Sequence, residues 1–561
     1  MCPAIENPGD ALPRSPATAL LDEGRALLKQ GRSAEALVRF EAACQADPRC
    51  APARSDALTE AITEAWANPQ DLQGPAFSLI RLDQRIARCV SLANDSWPAR
   101  PSRGALFGPD GLAALSDNRL LHALLEAAPV RSVRVERFLT CARRALLEIA
   151  AHEEAPLAAE MAALRFFAAL ARQCFTNEYV FECAGEEPHA AAECRTRLVA
   201  LLDAGAAVPP FVMLAVAAYF PLHELPEPQR LLAASAPGPL NEVLRQQVRE
   251  PLEEQVLRAG IESLTSIAAG VSAAVREQYE ESPYPRWVKM PRRAQPLPLN
   301  IELRNTLPFA RFAALPDDSA PQALVAGCGT GSDAILVAER FRGVRVLAID
   351  LSLSSLAYAK RKSLELGVTN IEYAQADILR LGGLERSFDV IGAVGVLHHL
   401  ADPFAGWRVL LSRLRPRGLM CLGLYSEIAR RPVVKAREFI AAHGFENTPQ
   451  GVRRFRQAVL AGDADSELQS LGNSRAFYSL SDCRDLAFHV QEQHLTLGQI
   501  ESFIGEQGLK FVGFELDLRV LDQYRARFRD DPHCASLANW ARFETDHPRT
   551  FTAMYRFWIQ K

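Results

Sequence analysis

Three glycines near the middle of the chain, Gly327, Gly329 and Gly331, have a spacing that suits ligand binding. They follow a short apolar run and precede a stretch with helical spacing. Glycine lets a ligand lie against the backbone and tolerates the positive φ of a tight turn, and the N–H groups of a helix N-terminus attract polar groups. Asp350 ends the next apolar run, VRVLAID, where a carboxylate can accept hydrogen bonds from ribose hydroxyls. These residues predict an α/β domain with a nucleoside-like ligand.

The spacing of the glycines narrows the kind of ligand. A dinucleotide fingerprint, G-x-G-x-x-G, needs a third glycine where this chain has Ser332. The pattern G-x-G-x-G instead resembles motif I of class I S-adenosylmethionine (AdoMet) methyltransferases. Three later segments follow in the order of that family: NIEYAQAD (370–377), SFDVIGAVGVLHHLADP (387–403) and LRPRGLMCLGLYSE (414–427). The resemblance implies a Rossmann-like class I methyltransferase domain with AdoMet as its cofactor.

The resemblance also assigns parts of AdoMet to residues of each matched segment. It places Gly327, Gly329 and Gly331 beside the methionyl and ribose parts, Asp350 at the ribose hydroxyls, Asp377 at the adenine amino group, Ile378 on the adenine face, and Gly395 and Val396 near the methyl group. Tyr279 precedes the catalytic sheet, where related methyltransferases have a helix that covers AdoMet and often a tyrosine that reaches its carboxylate. Tyr279 is therefore a predicted cofactor contact. Alternatively, Tyr279, Tyr284 and Trp287 form an aromatic seam between domains.

Candidates for catalysis follow the predicted fourth and fifth strands. Methyl transfer from AdoMet is a direct displacement, so a base is needed only if the nucleophile arrives protonated. His398, His399 and Tyr425 are the predicted catalytic residues, and the alternative for the histidines is that they only fix the loop. A downstream polar and aromatic set either lines the acceptor pocket or packs its own segment: Phe477, Tyr478, Asp482, Arg484, Asp485 and His489.

The predicted organisation places helical additions before and after the catalytic core. We predict a disordered segment (1–15), a helical domain (16–265), a lid helix and linker (266–299), the AdoMet-binding core (300–427), a helical insertion (428–495), and a C-terminal segment (496–561) with a small helical insertion that completes a seven-stranded mixed sheet. Apolar residues recur with helical spacing through much of the first half. Seven Lys and Arg residues between 430 and 456 predict a solvated helix face, or a surface for an acidic acceptor or RNA.

Residues 17–50 resemble one tetratricopeptide repeat (TPR). Small and large residues alternate at the offsets of that repeat, among them Gly24 and Phe40, and Pro48 closes it. The alternative is that this pair only begins a larger helical domain. The whole chain resembles bacterial TPR-containing class I methyltransferases, in segments such as ARQCFTNEYVF (171–181) and VREQYEESPYPRW (275–287). Its layout is also similar to that of bacterial outer-membrane-protein lysine methyltransferases.

Composition excludes several function classes. A net charge of −4 gives no overall field for nucleic acid, and the 12 cysteines lack the spacing of metal ligands, so we predict neither a nucleic-acid partner nor a metal. The longest apolar stretch (206–222) carries three prolines and predicts a buried helix rather than a membrane span. No signal-peptide pattern opens the chain, and we expect a cytoplasmic protein.

Three functions remain open from the sequence. The first is methylation of a protein side chain, with the helical domains selecting the acceptor. The second is methylation of a small molecule in a closed pocket. The third is a TPR-type interaction module whose methyltransferase domain is only structural. The oligomeric state, the methylated atom and the use of a base are not determined by the sequence.

Overall fold

The computed structural model describes residues 15–152, 161–233, 238–292, 295–316, 320–462 and 466–561. The predicted disordered segment therefore lies outside the described residues, except for Ser15. The chain forms two compact units: an N-terminal unit (residues up to Gln173, with Val288–Pro291) and a sheet unit (Cys174–Trp287 and Arg292–Lys561). This division differs from the predicted boundary at 265, because part of the helical region belongs to the same unit as the sheet.

The N-terminal unit is built from helices. They are α1 (Pro16–Lys29), α2 (Ser33–Ala46), α3 (Ala51–Thr63), α4 (Pro69–Ile80), α5 (Gln84–Ser96), α6 (Arg103–Phe107), α7 (Gly111–Asp117), α8 (Arg119–Ala127), α9 (Val133–Ala151) and α10 (Leu164–Thr176), within which the division between the units falls. Side chains of Ser15, Asn68, Asp83 and Ser132 accept hydrogen bonds from first-turn N–H groups. Such caps satisfy donors that have no partner inside a helix.

Helices α1 and α2 form a hairpin that turns at Gly31, where φ is +74°. Gly24 lies directly against Phe40, since a β-carbon at Gly24 would come within 2.5 Å of the phenyl ring. Phe40 is fully buried. This packing explains the small and large residues of the pattern in 17–50, while the assignment of the pair as a TPR repeat stays a prediction.

Further helices of the sheet unit precede the sheet. They are α11 (Glu187–Asp203), α12 (Pro210–Tyr219), α13 (Gly238–Leu244), a π-helical stretch (Arg245–Arg249), α14 (Glu250–Ala259), α15 (Val271–Glu281) and α16 (Leu299–Thr306). Every residue of α12 after its first proline is buried, as predicted for the apolar stretch 206–222. Among the described residues, no helix combines the length and the apolar character needed to cross a membrane.

The sheet has eight strands: β1 (Glu262–Ser263), β2 (Gln322–Ala326), β3 (Arg345–Asp350), β4 (Ile371–Gln375), β5 (Phe388–Val394), β6 (Leu414–Tyr425), β7 (Lys510–Phe514) and β8 (Met554–Gln560). Their order is β1-β4-β3-β2-β5-β6-β8-β7. The first six are parallel, and β8 is antiparallel to both of its neighbours.

The strand count corrects the prediction of seven. The additional strand, β1, lies at the edge beside β4 and within the region predicted to be helical. It is only two residues long, and such a segment is too short for the alternation by which a strand is recognised in a sequence. The other seven strands lie in the segments predicted for the catalytic core and the C-terminal end.

Helices cover both faces of the sheet and form the insertion after β6. They are α17 (Ser332–Arg340), α18 (Leu353–Glu365), α19 (Pro403–Arg413), α20 (Arg431–His443), α21 (Pro449–Ala461), α22 (Ser466–Ser470), α23 (Leu480–Phe488), α24 (Leu497–Glu506), α25 (Leu518–Arg527) and α26 (Leu537–Asp546). One face packs α16, α17 and α18 around Leu303, Val325 and Leu356. The other includes Trp407 and Phe503, with ring centroids 4.4 Å apart.

Two of the seven basic residues between 430 and 456 do not belong to a solvated face. Arg430 and Arg456 are buried. Arg430 forms a bidentate ion pair with Glu492 at 2.6 and 2.8 Å, and Arg456 donates to the backbone carbonyls of Phe477 and Val180. Both interpretations drawn from the sequence are therefore wrong for these two residues, which hold the insertion together.

Candidate functional site

The predicted glycine turn connects β2 to α17. Gly327, Gly329 and Gly331 have φ values of +69°, +50° and +87°. A β-carbon on Gly327 would come within 2.4 Å of Val396, and one on Gly329 within 2.4 Å of the carbonyl oxygen of Tyr284. Backbone conformation and packing thus both require glycine here.

Asp350 is bonded to this turn. Its Oδ2 accepts a hydrogen bond from Gly329 N at 2.8 Å, and its Oδ1 accepts one from Ser352 N at 2.9 Å. Burial raises the pKa of the Asp350 carboxyl, although both N–H groups favour the ionised form. A carboxylate has about four lone-pair sites, so both oxygens can still accept hydrogen bonds from a ribose. The position of Asp350 is compatible with a contact to the ribose hydroxyls, which stays a prediction.

Asp377 lies at the end of the neighbouring strand, β4, and is 1% exposed. Its Oδ1 accepts from Leu379 N at 2.9 Å, and its Oδ2 accepts from Ala268 N at 3.0 Å. The backbone N–H of Asp377 donates to Thr265 Oγ1 at 2.8 Å. The loop after β1 therefore lies against Asp377, an arrangement that sequence reasoning missed because Thr265 and Ala268 are more than 100 residues away.

Ile378, Gly395 and Val396 complete the predicted cofactor set. Ile378 is 5% exposed and packs in the hydrophobic core near Leu397 and Leu400. Gly395 has a φ of +76°, and a β-carbon there would meet nothing within 4 Å. Val396 lies against Gly327. Val396 thus borders the glycine turn, whereas Ile378 is directed mainly into the core.

The segment 271–287, which we call the lid segment, is built onto the same end of the sheet. The carboxylate of Glu280 accepts hydrogen bonds from the backbone N–H groups of Leu353 and Ser354 at 2.7 and 3.2 Å, and so caps the N-terminus of α18. Ser352 Oγ donates to the carbonyl of Tyr279 at 3.0 Å, and Thr330 N donates to the carbonyl of Tyr284 at 3.2 Å. These bonds fix the lid segment to the glycine turn.

Tyr279 extends from the lid segment toward the insertion. Its hydroxyl lies 2.7 Å from Asp485 Oδ1 and 3.1 Å from His489 Nε2. Its ring stacks with Tyr284, with centroids 6.3 Å apart. Tyr279 therefore contacts a ring of its own segment and, through its hydroxyl, the insertion; both the aromatic seam between domains and the cofactor contact stay predictions.

His398 and Tyr425 stack on each other, with ring centroids 3.6 Å apart. His398 is fully buried, and both of its ring nitrogens lack a hydrogen-bond partner. Burial lowers the pKa of His398 well below its usual value. Burial likewise raises the pKa of Tyr425, whose ring also lies 3.9 Å from the Arg430 guanidinium. Because neither ring nitrogen of His398 is exposed, His398 cannot take a proton from the molecule that is to be methylated in this arrangement. The structure therefore gives its assignment as the base no support.

Of the two histidines, His399 has the geometry that fits a base better. It lies in a 3₁₀ turn after β5 (Leu397–His399), and its Nδ1 is 2.9 Å from the carbonyl oxygen of Gln491. Its ring stacks on His489 at a centroid distance of 3.8 Å. Burial lowers the pKa of His399, while Asp485 acts in the opposite direction. A largely neutral imidazole at this position can accept a hydrogen bond or a proton.

The insertion helix α23 carries Asp482 and Asp485 three residues apart, which places them on one face, and His489 follows its last residue directly. Its N-terminus is fixed by Leu480 N, which donates to Asn177 O at 3.2 Å, and by Ser481 N, which donates to Glu178 Oε2 at 2.6 Å. No local pattern in the sequence could have shown this pairing.

His399, Asp485 and His489 together have the composition of a metal site, with ligand atoms within 4.8 Å of one another. The hydrogen bonds of His489 do not fit metal binding. Gln491 N donates to His489 Nδ1 at 3.0 Å, so the neutral ring carries its proton on Nε2, the nitrogen that faces the cluster. A metal-bound Nε2 would need the proton on Nδ1, directed at that N–H group.

Comparisons with known proteins agree with this fold. Residues 324–420 match a family model described as "Methyltransferase domain". An uncharacterized protein of Synechococcus sp. is 32% identical over 246 residues, which cover 40% of this chain and 56% of that protein. A ubiquinone biosynthesis O-methyltransferase of Azotobacter vinelandii is 26% identical over 31% of this chain and 70% of its own length. The chain thus spans just over half of the first relative.

Among solved structures, PKMT2 from Rickettsia typhi in complex with AdoHcy is similar at 16% identity, with a TM-score of 0.37 and coverage of 46% of this chain and 52% of that chain. The matched segment 324–420 contains the glycine turn, Asp350, Asp377 and His399. The chain therefore contains a methyltransferase domain of the class I fold, and S-adenosylmethionine is its cofactor.

Proposed function

We propose that this protein is an AdoMet-dependent methyltransferase whose acceptor enters between the lid segment and the insertion. The observation that carries the proposal is the convergence of two groups of residues at one end of the parallel strands. The glycine turn and Asp350 are hydrogen-bonded to each other, and Tyr279 links the lid segment to Asp485 on the insertion. In open α/β sheets, this end of the strands is where ligands bind.

The residues divide into a cofactor side and an acceptor side. AdoMet supplies an activated methyl group, so the protein mainly has to align the nucleophile and exclude water. Gly327, Gly329 and Asp350 would hold the methionyl and ribose parts, with Asp377 near the adenine. His399 and Asp485, which are 5% and 3% exposed, would meet the acceptor in a site shielded from bulk water.

We favour a protein side chain as the acceptor over a small molecule. The acceptor-side groups are deeply buried, and a long, thin side chain can reach such groups while the rest of its protein stays outside. Helices of the lid segment and of the insertion border the site and would select the acceptor. A small-molecule hydroxyl is the alternative, since relatives that match about a third of the chain or less are named O-methyltransferases.

Transfer of labelled methyl groups tests the proposal. The full-length protein is incubated with AdoMet carrying a radiolabelled methyl group and a cell extract, which is then separated into protein, RNA and small molecules. The proposal predicts label in the protein fraction. Label confined to small molecules would support the alternative acceptor. No label in any fraction, although AdoMet binds, would favour an interaction module and contradict the proposal.

A further inference from the structure

The turn that follows α10, residues 177–180, has an unusual backbone. Glu178 and Tyr179 are consecutive residues other than glycine, and their φ values are +57° and +59°. Residues with a β-carbon adopt this left-handed conformation at a cost in energy, so it persists where the surrounding contacts impose it. The contacts of the turn, all within the sheet unit, therefore indicate what the turn is for.

The backbone of the turn is bonded to helix α21 of the insertion. Arg453 Nε donates to the carbonyl oxygen of Tyr179 at 2.8 Å, and Arg456 Nη1 donates to that of Val180 at 3.2 Å. Arg456 is fully buried. The turn is thus held by the insertion on one side, which leaves the side chain of Glu178 in a fixed position.

The carboxylate of Glu178 joins two elements that border the site. Its Oε2 accepts a hydrogen bond from Ser481 N at the start of α23, at 2.6 Å, and its Oε1 lies 3.7 Å from Arg286 Nη1 of the lid segment. A negative charge at a helix N-terminus is favourable. Glu178 therefore contacts both the helix that carries Asp485 and the segment that carries Tyr279.

Arg286 depends on this carboxylate for its counter-charge. Its side chain is 23% exposed, and its ion pair with Glu178 is the only one it forms within the described part of the chain. Burial alone would lower the pKa of Arg286, and Glu178 acts most strongly among the acids that raise it. A charge in such a position is costly once its partner is removed.

The neighbours of Arg286 in the lid segment are bonded to the glycine turn. Thr330 Oγ1 donates to the carbonyl oxygen of Pro285, and Trp287 Nε1 donates to the carbonyl oxygen of Thr330 at 3.2 Å. Thr330 is fully buried. A continuous series of bonds thus runs from α23 through Glu178 and Arg286 to the turn that is expected to hold the methionyl part of AdoMet.

We propose, building on the methyltransferase function above, that Glu178 is a positioning residue for methyl transfer. It acts through Ser481 and Arg286, and it fixes α23 relative to the lid segment. The acceptor-side groups are thereby held at a set distance from the glycine turn. Because methyl transfer is a direct displacement, its rate depends on the alignment of the nucleophile with the methyl group.

The variant Glu178→Gln tests this role. Glutamine keeps an oxygen for the Ser481 N–H group but removes the charge opposite Arg286. We expect its Kd for AdoHcy, measured by calorimetry, to stay within threefold of the parent value, because the bonds of Thr330 and Asp350 remain. The maximal rate of methyl transfer should fall at least tenfold. Asp530→Asn, a change at an exposed acid in the same unit, should alter neither quantity.

The rate is measured as transfer of label from radiolabelled AdoMet, at saturation, over a dilution series of one cell extract. It is divided by the number of AdoHcy-binding sites found by calorimetry, so that unfolded protein is not counted. A residue that only stabilises the fold would change thermal unfolding and the number of sites, but not the rate per site.

The double variant Glu178→Gln/Arg286→Gln adds a rescue experiment. It removes both charges and leaves two amides that can hydrogen-bond to each other. Its rate per site should exceed that of Glu178→Gln at least fivefold, since no charge is left without a partner. A double variant that is as slow as Glu178→Gln would contradict the action through Arg286.

The remaining outcomes separate this inference from the proposed function. A Glu178→Gln protein with the parental rate per site would overturn the positioning role and leave the methyltransferase function standing. A parent protein that transfers no label to any fraction of the extract would overturn both.

Discussion

Replacement of Asp350 by asparagine should weaken cofactor binding more than it weakens the fold. Asp350 accepts hydrogen bonds from Gly329 N and Ser352 N at 2.8 and 2.9 Å. Asparagine keeps one acceptor oxygen, so its amide must face one of these N–H groups, and an unsatisfied buried donor costs about 1–3 kcal/mol. Removing the charge also relieves the desolvation that raises the pKa of Asp350, which places the loss of stability at the lower end of this range.

The effect of Asp350→Asn on binding should be larger. A hydrogen bond to a charged group contributes about 1.5–3 kcal/mol, which corresponds to a roughly 10- to 150-fold rise in Kd. Calorimetric titration with AdoHcy, beside thermal unfolding followed by circular dichroism, measures both quantities. Asp530→Asn is the matched control. A folded Asp350→Asn protein that binds AdoHcy as tightly as the parent would refute the placement of the ribose at the end of β3.

Three further substitutions test the packing and the charges of the site. Gly329→Ala should abolish AdoHcy binding, because its β-carbon would lie 2.4 Å from the Tyr284 carbonyl; Gly343→Ala, also at positive φ but with open space around it, should retain binding. Asp482→Asn should make the protein more stable at pH 8, by at most about 4 kcal/mol in chemical unfolding. Burial raises the pKa of Asp482 to about 7, so the folded parent holds this proton more tightly than the unfolded chain does. The parent therefore loses stability as the pH rises from about 4 to about 7. An equal loss of stability in the variant over this pH range would contradict the assignment. Glu492→Gln should destabilise the protein at pH 7 by about 3–5 kcal/mol, because it leaves Arg430 buried without its ion pair, and unchanged urea unfolding would count against the pair.

The same ion pair makes the stability of the parent protein depend on pH in the acidic range. Burial alone would raise the pKa of Glu492, but its bonds to His494 and Arg430 outweigh that effect and lower the pKa to about 2. A lowered pKa stabilises the fold above the unfolded value, near 4.5, and this contribution is lost as the pH falls toward 2.

The cofactor side of the site could be predicted from the sequence because its signals are local. Gly327, Gly329 and Gly331 form one turn, and Asp350 and Asp377 each follow an apolar run that forms a strand. These features depend on neighbouring residues, which a single sequence displays.

The acceptor side depends on contacts between distant segments. Gln491 fixes the tautomer of His399 from 92 positions away, and Glu178 caps α23 from 303 positions away. The sequence around Gln491 and around Glu178 contains no pattern that identifies these distant partners. Arg430 and Arg456 were misinterpreted for the same reason. A charged residue is predicted to be exposed unless a buried partner for it is known.

A crystal structure of the full-length protein with AdoHcy tests the central claim most directly. The account predicts ribose hydroxyls within hydrogen-bond distance of Asp350, the adenine near Asp377, and the sulfur directed at the cluster of Tyr279, His399, Asp485 and His489. AdoHcy bound away from the glycine turn, or a sulfur separated from that cluster by the lid segment, would contradict it.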